Sequence, residues 1–409
     1  MYSVELFGGA GGLALGAEMA GFESVAFAEW DKWACDTVRE NALRGHPLVR
    51  DWTVYEGDVR SVDWAELGRR AVIDVVTGGP PCQPFSMGGK ARAADDARDM
   101  FPAAVEVIRA LRPQAFALEN VRGLTRSAFA NYFQLVLLRL KYPDLPPRSG
   151  ETWLEHLQRL QRHETGDAGD ALAEYRVVPT LVNAADYGVP QHRHRVFIVG
   201  FRADVEAEWN FPSPTHSQDR LLHDQWVTGT YWERHGISSS ERPALDARLV
   251  KKVDALREVD PDSLGRPWRT VRDAISDLPE PTLEGSTVHL NHRLQPGARP
   301  YPGHTGSPLD APAKTLKAGG HGVPGGENML VRLDGSVRYF TVREAARLQT
   351  FPDSYELHGA WSEAMRQIGN AVPVRLAEIV MASIREHLEA ASVRGQLALD
   401  RASHDIGVR

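Results

Sequence analysis

Through its first two hundred positions the chain alternates short apolar, often β-branched runs with longer amphipathic stretches. Positions 4–7, 24–28, 72–77, 114–118, 175–182 and 196–201 read as strands, each short and bounded by glycine, acid or turn residues. A further strand ends at Gly57-Asp58-Val59. Helical patterning fills 13–20, 31–43, 100–111 and 127–141, and an amphipathic piece, 151–162, lies within an irregular insert, 142–173. Alternation of this kind predicts an α/β fold around a largely parallel sheet.

Beyond 201 the alternation stops. Proline, tryptophan and charge are irregular through Trp268, and eight of the thirty residues from Gly297 to Gly326 are glycine. Leu309, Leu316, Met329, Leu330 and Val331 interrupt that glycine-rich stretch, which predicts a second, loop-rich domain rather than a linker. Thr341, with Glu344 three residues on, marks a helix start, and a last helix is expected over 374–390.

A length of 409 residues accommodates two domains, and 42% hydrophobic with 25% charged residues is ordinary globular composition. No run approaches the roughly 18 apolar residues of a membrane span, and the N-terminus leads straight into a strand, so a cytoplasmic protein is expected. Cys35 and Cys82 are the only cysteines. They exclude a disulfide framework and a four-thiolate zinc site, and no other metal-ligand spacing stands out. The net charge of −7 disfavours nucleic-acid binding. Locally the balance reverses: from Ser286 to Gly326, Asp310 is the only acid against Arg293, Arg299, Lys314 and Lys317, with four histidines besides.

Candidate chemistry collects at strand ends. Gly8-Gly9-Ala10-Gly11-Gly12 joins the first strand to the first helix, a turn that lets backbone approach a ligand. Glu29, twenty residues beyond Gly9, is placed to accept a ribose hydroxyl, although the spacing alone does not choose between NAD and S-adenosylmethionine. Cys82 follows the run 72–77 in the rigid loop Gly78-Gly79-Pro80-Pro81-Cys82-Gln83-Pro84-Phe85-Ser86, where open α/β sheets place chemistry. Glu119 ends another strand, one α/β unit later. Arg193 and Arg195, at i and i+2 entering a strand, are expected to share one face.

The loop around Cys82 resembles the nucleophile loop of the C5-cytosine DNA methyltransferases, and seven ordered motifs extend that resemblance over nearly the whole chain. The resemblance implies a Rossmann-like, S-adenosylmethionine-dependent methyltransferase sheet in residues 1–200 and 367–409, with a smaller target-recognition domain and hinge in 201–366. By match, Cys82, Glu119, Arg193 and Arg195 are catalytic. Phe7, Gly8, Gly9, Ala10, Gly11, Gly12, Glu29, Trp30, Asp58, Val59, Pro80, Met100 and Asn370 hold S-adenosyl-L-methionine, which leaves as S-adenosyl-L-homocysteine. Gln83, Ser86, Asn120 and Gln191 meet the substrate by the same match; the local excess of positive charge, not the match, offers Lys314 and Lys317 to phosphates and Arg293 and Arg299 to base edges of DNA. An identical loop can serve tRNA; the long region 202–330 argues for double-stranded DNA. The family further implies a monomer with no membrane partner, and a cognate restriction endonuclease acting on the same site without direct contact.

Overall fold

The computed structural model describes residues 1–81, 99–166, 174–300, 305–318 and 328–406. Its centre is a seven-stranded sheet in the order β3-β2-β1-β4-β5-β7-β6. The strands are β1 (Tyr2–Leu6), β2 (Glu23–Glu29), β3 (Val54–Glu56), β4 (Val75–Gly78), β5 (Ala115–Val121), β6 (Tyr175–Asn183) and β7 (His194–Arg202). The first five run parallel, and β7 inserts antiparallel between β5 and β6. That inversion brings the start of β7 to the same end of the sheet as the carboxyl ends of β1, β4 and β5.

Both faces of the sheet are covered, which is why β4 is buried at every position. On one side lie α1 (Gly12–Met19) and α13 (Val374–Ile406), sharing a core of Leu13, Ala17, Phe197, Val199, Leu376 and Val380. On the other, α3 (Trp64–Arg70), α4 (Phe101–Leu111) and α5 (Ala130–Lys141) meet Val4, Leu6, Val76 and Ile198. Helix α2 (Lys32–Leu43) begins on Asp31, whose carboxylate caps Ala34 N. The insert supplies α6 (Trp153–Glu164), opened by a Thr152–Glu155 capping box and packed through Leu157 and Leu160 on α5.

The strand expected over 72–77 starts later than the pattern suggests. Val72 is 77% exposed, and Asp74 spends its carboxylate on Tyr2 N and Gln114 Nε2, so pairing with β1 begins at Val75.

The irregular region contains helices α7 (Gln218–Trp226), α8 (Thr230–Arg234), α9 (Val250–Leu256) and α10 (Val271–Ile275). Two small sheets accompany them: β8 (His216–Ser217) with β9 (Arg266–Pro267), and β10 (Ser307–Pro308), β11 (Met329–Val331) and β12 (Val337–Tyr339). Helix α11 (Val342–Leu348) has the Thr341–Glu344 capping box, and α12 (Trp361–Asn370) precedes α13. Phe340, Leu348, Tyr355 and Ile368 share one apolar cluster with Ala10, Ala14 and Phe27, so this late segment packs directly against the glycine turn. Among the described residues no helix is long and apolar enough to cross a membrane.

Candidate active site

The turn after β1 is shaped by its glycines. Gly9 and Gly11 have φ of 53° and 83°, and Phe7, which carries a side chain, is also left-handed at 56°, a conformation that costs on the order of 1–3 kcal/mol and collects at functional sites. A Cβ on Gly8 would stand 2.2 Å from the Phe27 ring, and one on Gly12 would stand 2.2 Å from Val372 O. The turn is therefore held between β2 and the stretch after α12, while the space above Gly9 is open. Ala10 is buried beneath it.

Glu29 closes this turn from the side. Its carboxylate accepts from Gly9 N at 2.8 Å, Trp30 N at 2.9 Å and Asp31 N at 2.7 Å. Burial pushes its pKa up, and those three N–H groups oppose the rise. A carboxylate offers about four acceptor positions, so one remains for a hydroxyl. Trp30 beside it is 77% exposed, a free aromatic face next to an open turn. Asp58 stands at the end of β3, but Arg60 Nε forks across both its oxygens at 2.9 and 3.1 Å and holds its pKa down at about 2. Val59 is buried, its carbonyl accepting from Trp64 Nε1. Asn370 is exposed at the end of α12, just before the stretch that walls the turn.

A second group of residues gathers where β4, β5 and β7 meet. Register pairs Val121 with Arg195, which sets Arg195 beside Glu119. Arg195 Nε lies 2.5 Å from Glu119 Oε1 in an ion pair with both side chains nearly buried. The pair lacks hydrogen-bond alignment, and Glu119 Oε1 has no hydrogen-bond partner among the described residues. Gly79 packs against Glu119 Oε2, with room for a Cβ only at 3.5 Å. Asn120 Nδ2 donates to Pro80 O at 2.9 Å, tying the proline loop to β5. Met100 precedes α4 and packs into the core beneath. Cys82, Gln83 and Ser86 fall in 82–98, outside the described residues.

Glu5 joins this end of the sheet although its role was not legible in the sequence. It is 2% exposed on β1 and accepts from Thr77 Oγ1. Burial pushes its pKa up to about 8, and the Glu29 and Glu119 carboxylates add to the rise. One carboxyl thus lies between the glycine turn and the β5–β7 pair.

Two expected site residues are engaged within the protein. Arg193 lies one residue before β7, its carbonyl still accepting from Ala184 N, and its guanidinium feels the charges of Arg195 and Glu119. Its guanidinium, 0% exposed, donates to Leu316 O, Gly369 O and Ala371 O. Three of its five N–H donors are thus used on main chain, which leaves one on Nη1 and the buried Nε. Gln191, also 0% exposed, bonds Leu316 N, Leu348 O and Gln349 Oε1. Gln349, the partner of both segments, was missed; its signal was a glutamine closing a helix whose other polar residues are charged.

The four cations read as DNA-facing lie in two places. Arg293 is exposed and donates to Leu283 O, and Arg299 is exposed further along the same loop. Lys314 donates to Thr305 Oγ1, and exposed Lys317 follows Leu316, on the stretch packed against 191–193.

The sequence profile of the family described as C-5 cytosine-specific DNA methylase matches residues 1–142 and 167–386. The type II methyltransferase M.PspPI of Psychrobacter sp. (strain TA137) is 31% identical over 396 residues, covering 95% of this chain and 80% of that protein. The type II methyltransferase M.Eco47II of Escherichia coli is 32% identical over 403 residues, covering 96% and 81%. Among solved structures, the S. pombe Dnmt2 methyltransferase superposes with a TM-score of 0.52 at 15% identity, covering 95% of this chain and 99% of that one. That likeness concerns the fold.

Proposed function

The chain belongs to the C-5 cytosine-specific DNA methylase family, and from that premise we propose that it methylates C5 of a cytosine swung out of a defined duplex sequence, through a transient bond from Cys82 Sγ to C6. The methyl donor in this reading is S-adenosylmethionine, whose sulfonium supplies an electrophilic methyl group. Phe7 to Gly12, Glu29, Trp30 and Asn370 form its seat: open backbone at Gly9, one spare acceptor on Glu29 and an exposed indole suit a nucleoside. Asp58 joins that seat only if its carboxylate parts from Arg60.

C5 of cytosine is a poor nucleophile until something adds at C6. A thiolate does this, and Cys82 directly follows the Pro80–Pro81 pair anchored to Asn120. Addition places charge on N3 and O2. Glu119 relieves the first by holding a proton at N3, and Arg195 meets O2 by a charge-assisted hydrogen bond. Once C5 carries the methyl group, H5 leaves as a proton to solvent, and the electrons of the C5–H bond reform the C5–C6 double bond and expel Cys82 as a thiolate. A base within a duplex cannot reach such a site, so it must be flipped at a cost of a few kcal/mol.

The observation that carries this reading is the nearly buried Glu119–Arg195 ion pair beside Gly79, in the loop that leads into Cys82. We assign 1–200 and 367–409 to catalysis and 201–366 to target recognition and hinge. The likeness to type II methyltransferases supports a place in restriction–modification; in this reading the chain acts as a monomer and shares its site with an endonuclease it does not touch. Duplex DNA carrying 5-fluorocytosine, which cannot lose H5, should trap the wild type as an adduct on Cys82 visible by mass spectrometry. Cys82→Ser should give neither adduct nor methyl transfer while still binding the donor; turnover by that variant would sink the assignment.

A further inference from the structure

Four separate segments meet at a cluster of three buried polar side chains. Arg193 donates from Nη1 to Leu316 O at 3.1 Å and from Nη2 to Gly369 O and Ala371 O at 2.8 Å each. Gln191 Oε1 accepts from Leu316 N at 3.0 Å, and its Nε2 donates to Leu348 O and Gln349 Oε1. Gln349 Nε2 donates to Ile368 O at 2.7 Å and Ala371 O at 3.1 Å. All three are 0% exposed, and nearly every bond ends on main chain. The cluster therefore fixes where backbones lie.

Stability alone does not explain an arginine here. Burying a guanidinium without a carboxylate partner is expensive, and apolar side chains of similar size are often as stable. Burial pushes the Arg193 pKa down, and its Nε has no hydrogen-bond partner among the described residues. What only a planar, multiply donating group can do is hold three carbonyls on two segments at once.

Those two segments lead to different places. The stretch 369–372 walls the glycine turn, with Val372 O against Gly12. The stretch 313–318 carries Lys314 and Lys317 and arrives from the region read as DNA-facing. They touch: a Cβ on Gly369 would stand 2.2 Å from Ala318 N and 2.4 Å from Lys317 C. We infer that Arg193, with Gln191 and Gln349, is a positioning residue that couples the cofactor site to the DNA-recognition stretch, by setting the register of 313–318 against 369–372. The inference rests on the proposed reading of both sites. Occupancy at either end orders the shared joint, so each ligand tightens the other, and linkage requires the two effects to be equal.

The test uses the full-length protein and a fluorescein-labelled duplex bearing the site found by bisulfite sequencing. DNA affinity is measured by anisotropy with and without saturating S-adenosylhomocysteine. In the wild type the product should tighten DNA at least tenfold, within the usual range of about 5–150-fold. Arg193→Lys keeps the charge but cannot span three carbonyls; Gly369→Ala keeps the arginine and forces the stretches apart, at a helical position where alanine is otherwise favoured. Either variant, when folded by circular dichroism, should bring the factor below about threefold. A wild-type factor near one, or a factor unchanged in the variants, overturns the inference. Hydrogen exchange on the wild type adds a readout that needs no variant: S-adenosylhomocysteine alone should slow the amides of Leu316 and Lys317, and unchanged rates there also overturn it. Methyl transfer on the same duplex reports separately on the reaction. Coupling without transfer sinks the proposed chemistry, and transfer without coupling sinks only the joint.

Discussion

Replacing Glu5 by glutamine removes one ionisable proton from the centre of the sheet while keeping its shape. Glu5 is 2% exposed, and its pKa is pushed from the ordinary 4.5 to about 8, chiefly by burial. Below 4.5 the carboxyl is protonated in both the folded and unfolded chain, and it costs nothing. Between 4.5 and about 8 the unfolded chain ionises and the folded one does not, so stability falls by about 1.4 kcal/mol per pH unit. The loss reaches roughly 3 kcal/mol at pH 7 and levels off near 5 kcal/mol above pH 8. Glutamine can accept the same bond from Thr77 Oγ1 and has no charge to lose. Urea unfolding of both proteins, followed by tryptophan fluorescence, should give stabilities within about 1 kcal/mol at pH 5. At pH 7 the variant should be more stable by about 3 kcal/mol. A difference that stays flat from pH 5 to 8.5 would show that Glu5 is ionised in the fold and compensated by a donor, contrary to its surroundings.

The other predictions concern function. Glu119→Gln should lower the rate of methyl transfer by about 10² to 10⁴ with little change in DNA affinity; lost affinity with an unchanged rate would make it a contact residue. Gly12→Ala sets a Cβ against Val372 O, so calorimetry should show at least about tenfold weaker S-adenosylmethionine binding, the effect of about 1.4 kcal/mol. Lys314→Ala should weaken all duplexes alike and reduce the salt slope by about one, as for one phosphate contact; a change in sequence preference would place it on a base instead.

What the sequence made legible is what local pattern encodes. Most of the strand runs, the glycine turn, the place of Glu29 at the end of β2 and the Thr341 cap depend on neighbours within a few residues, and they stand where the pattern placed them. The two arginines show where that reasoning ends. Their i, i+2 spacing says nothing of the partners that claim Arg193, which come from Leu316 onward in the chain. Val72 failed for a related reason, since a β-branched run does not say where pairing begins. Helix α7 escaped notice because its buried face mixes Leu221 and Leu222 with His223, Asp224 and Gln225, too polar a stripe to read as amphipathic.

The pairing of α1 with α13 joins the beginning of the chain to its end. A Cβ on Gly16 would stand 2.4 Å from that of Ala377, so the two helices leave no gap between them. During synthesis, at about 5–20 residues per second, α1 emerges on the order of tens of seconds before α13 exists. For that interval the apolar side of α1, Leu13 and Ala17, lacks the Leu376 and Val380 that cover it in the finished molecule. The wall of the glycine turn at Val372 arrives just as late. A nascent chain therefore leaves that side of α1 and the turn at Gly12 uncovered until α13 has been made.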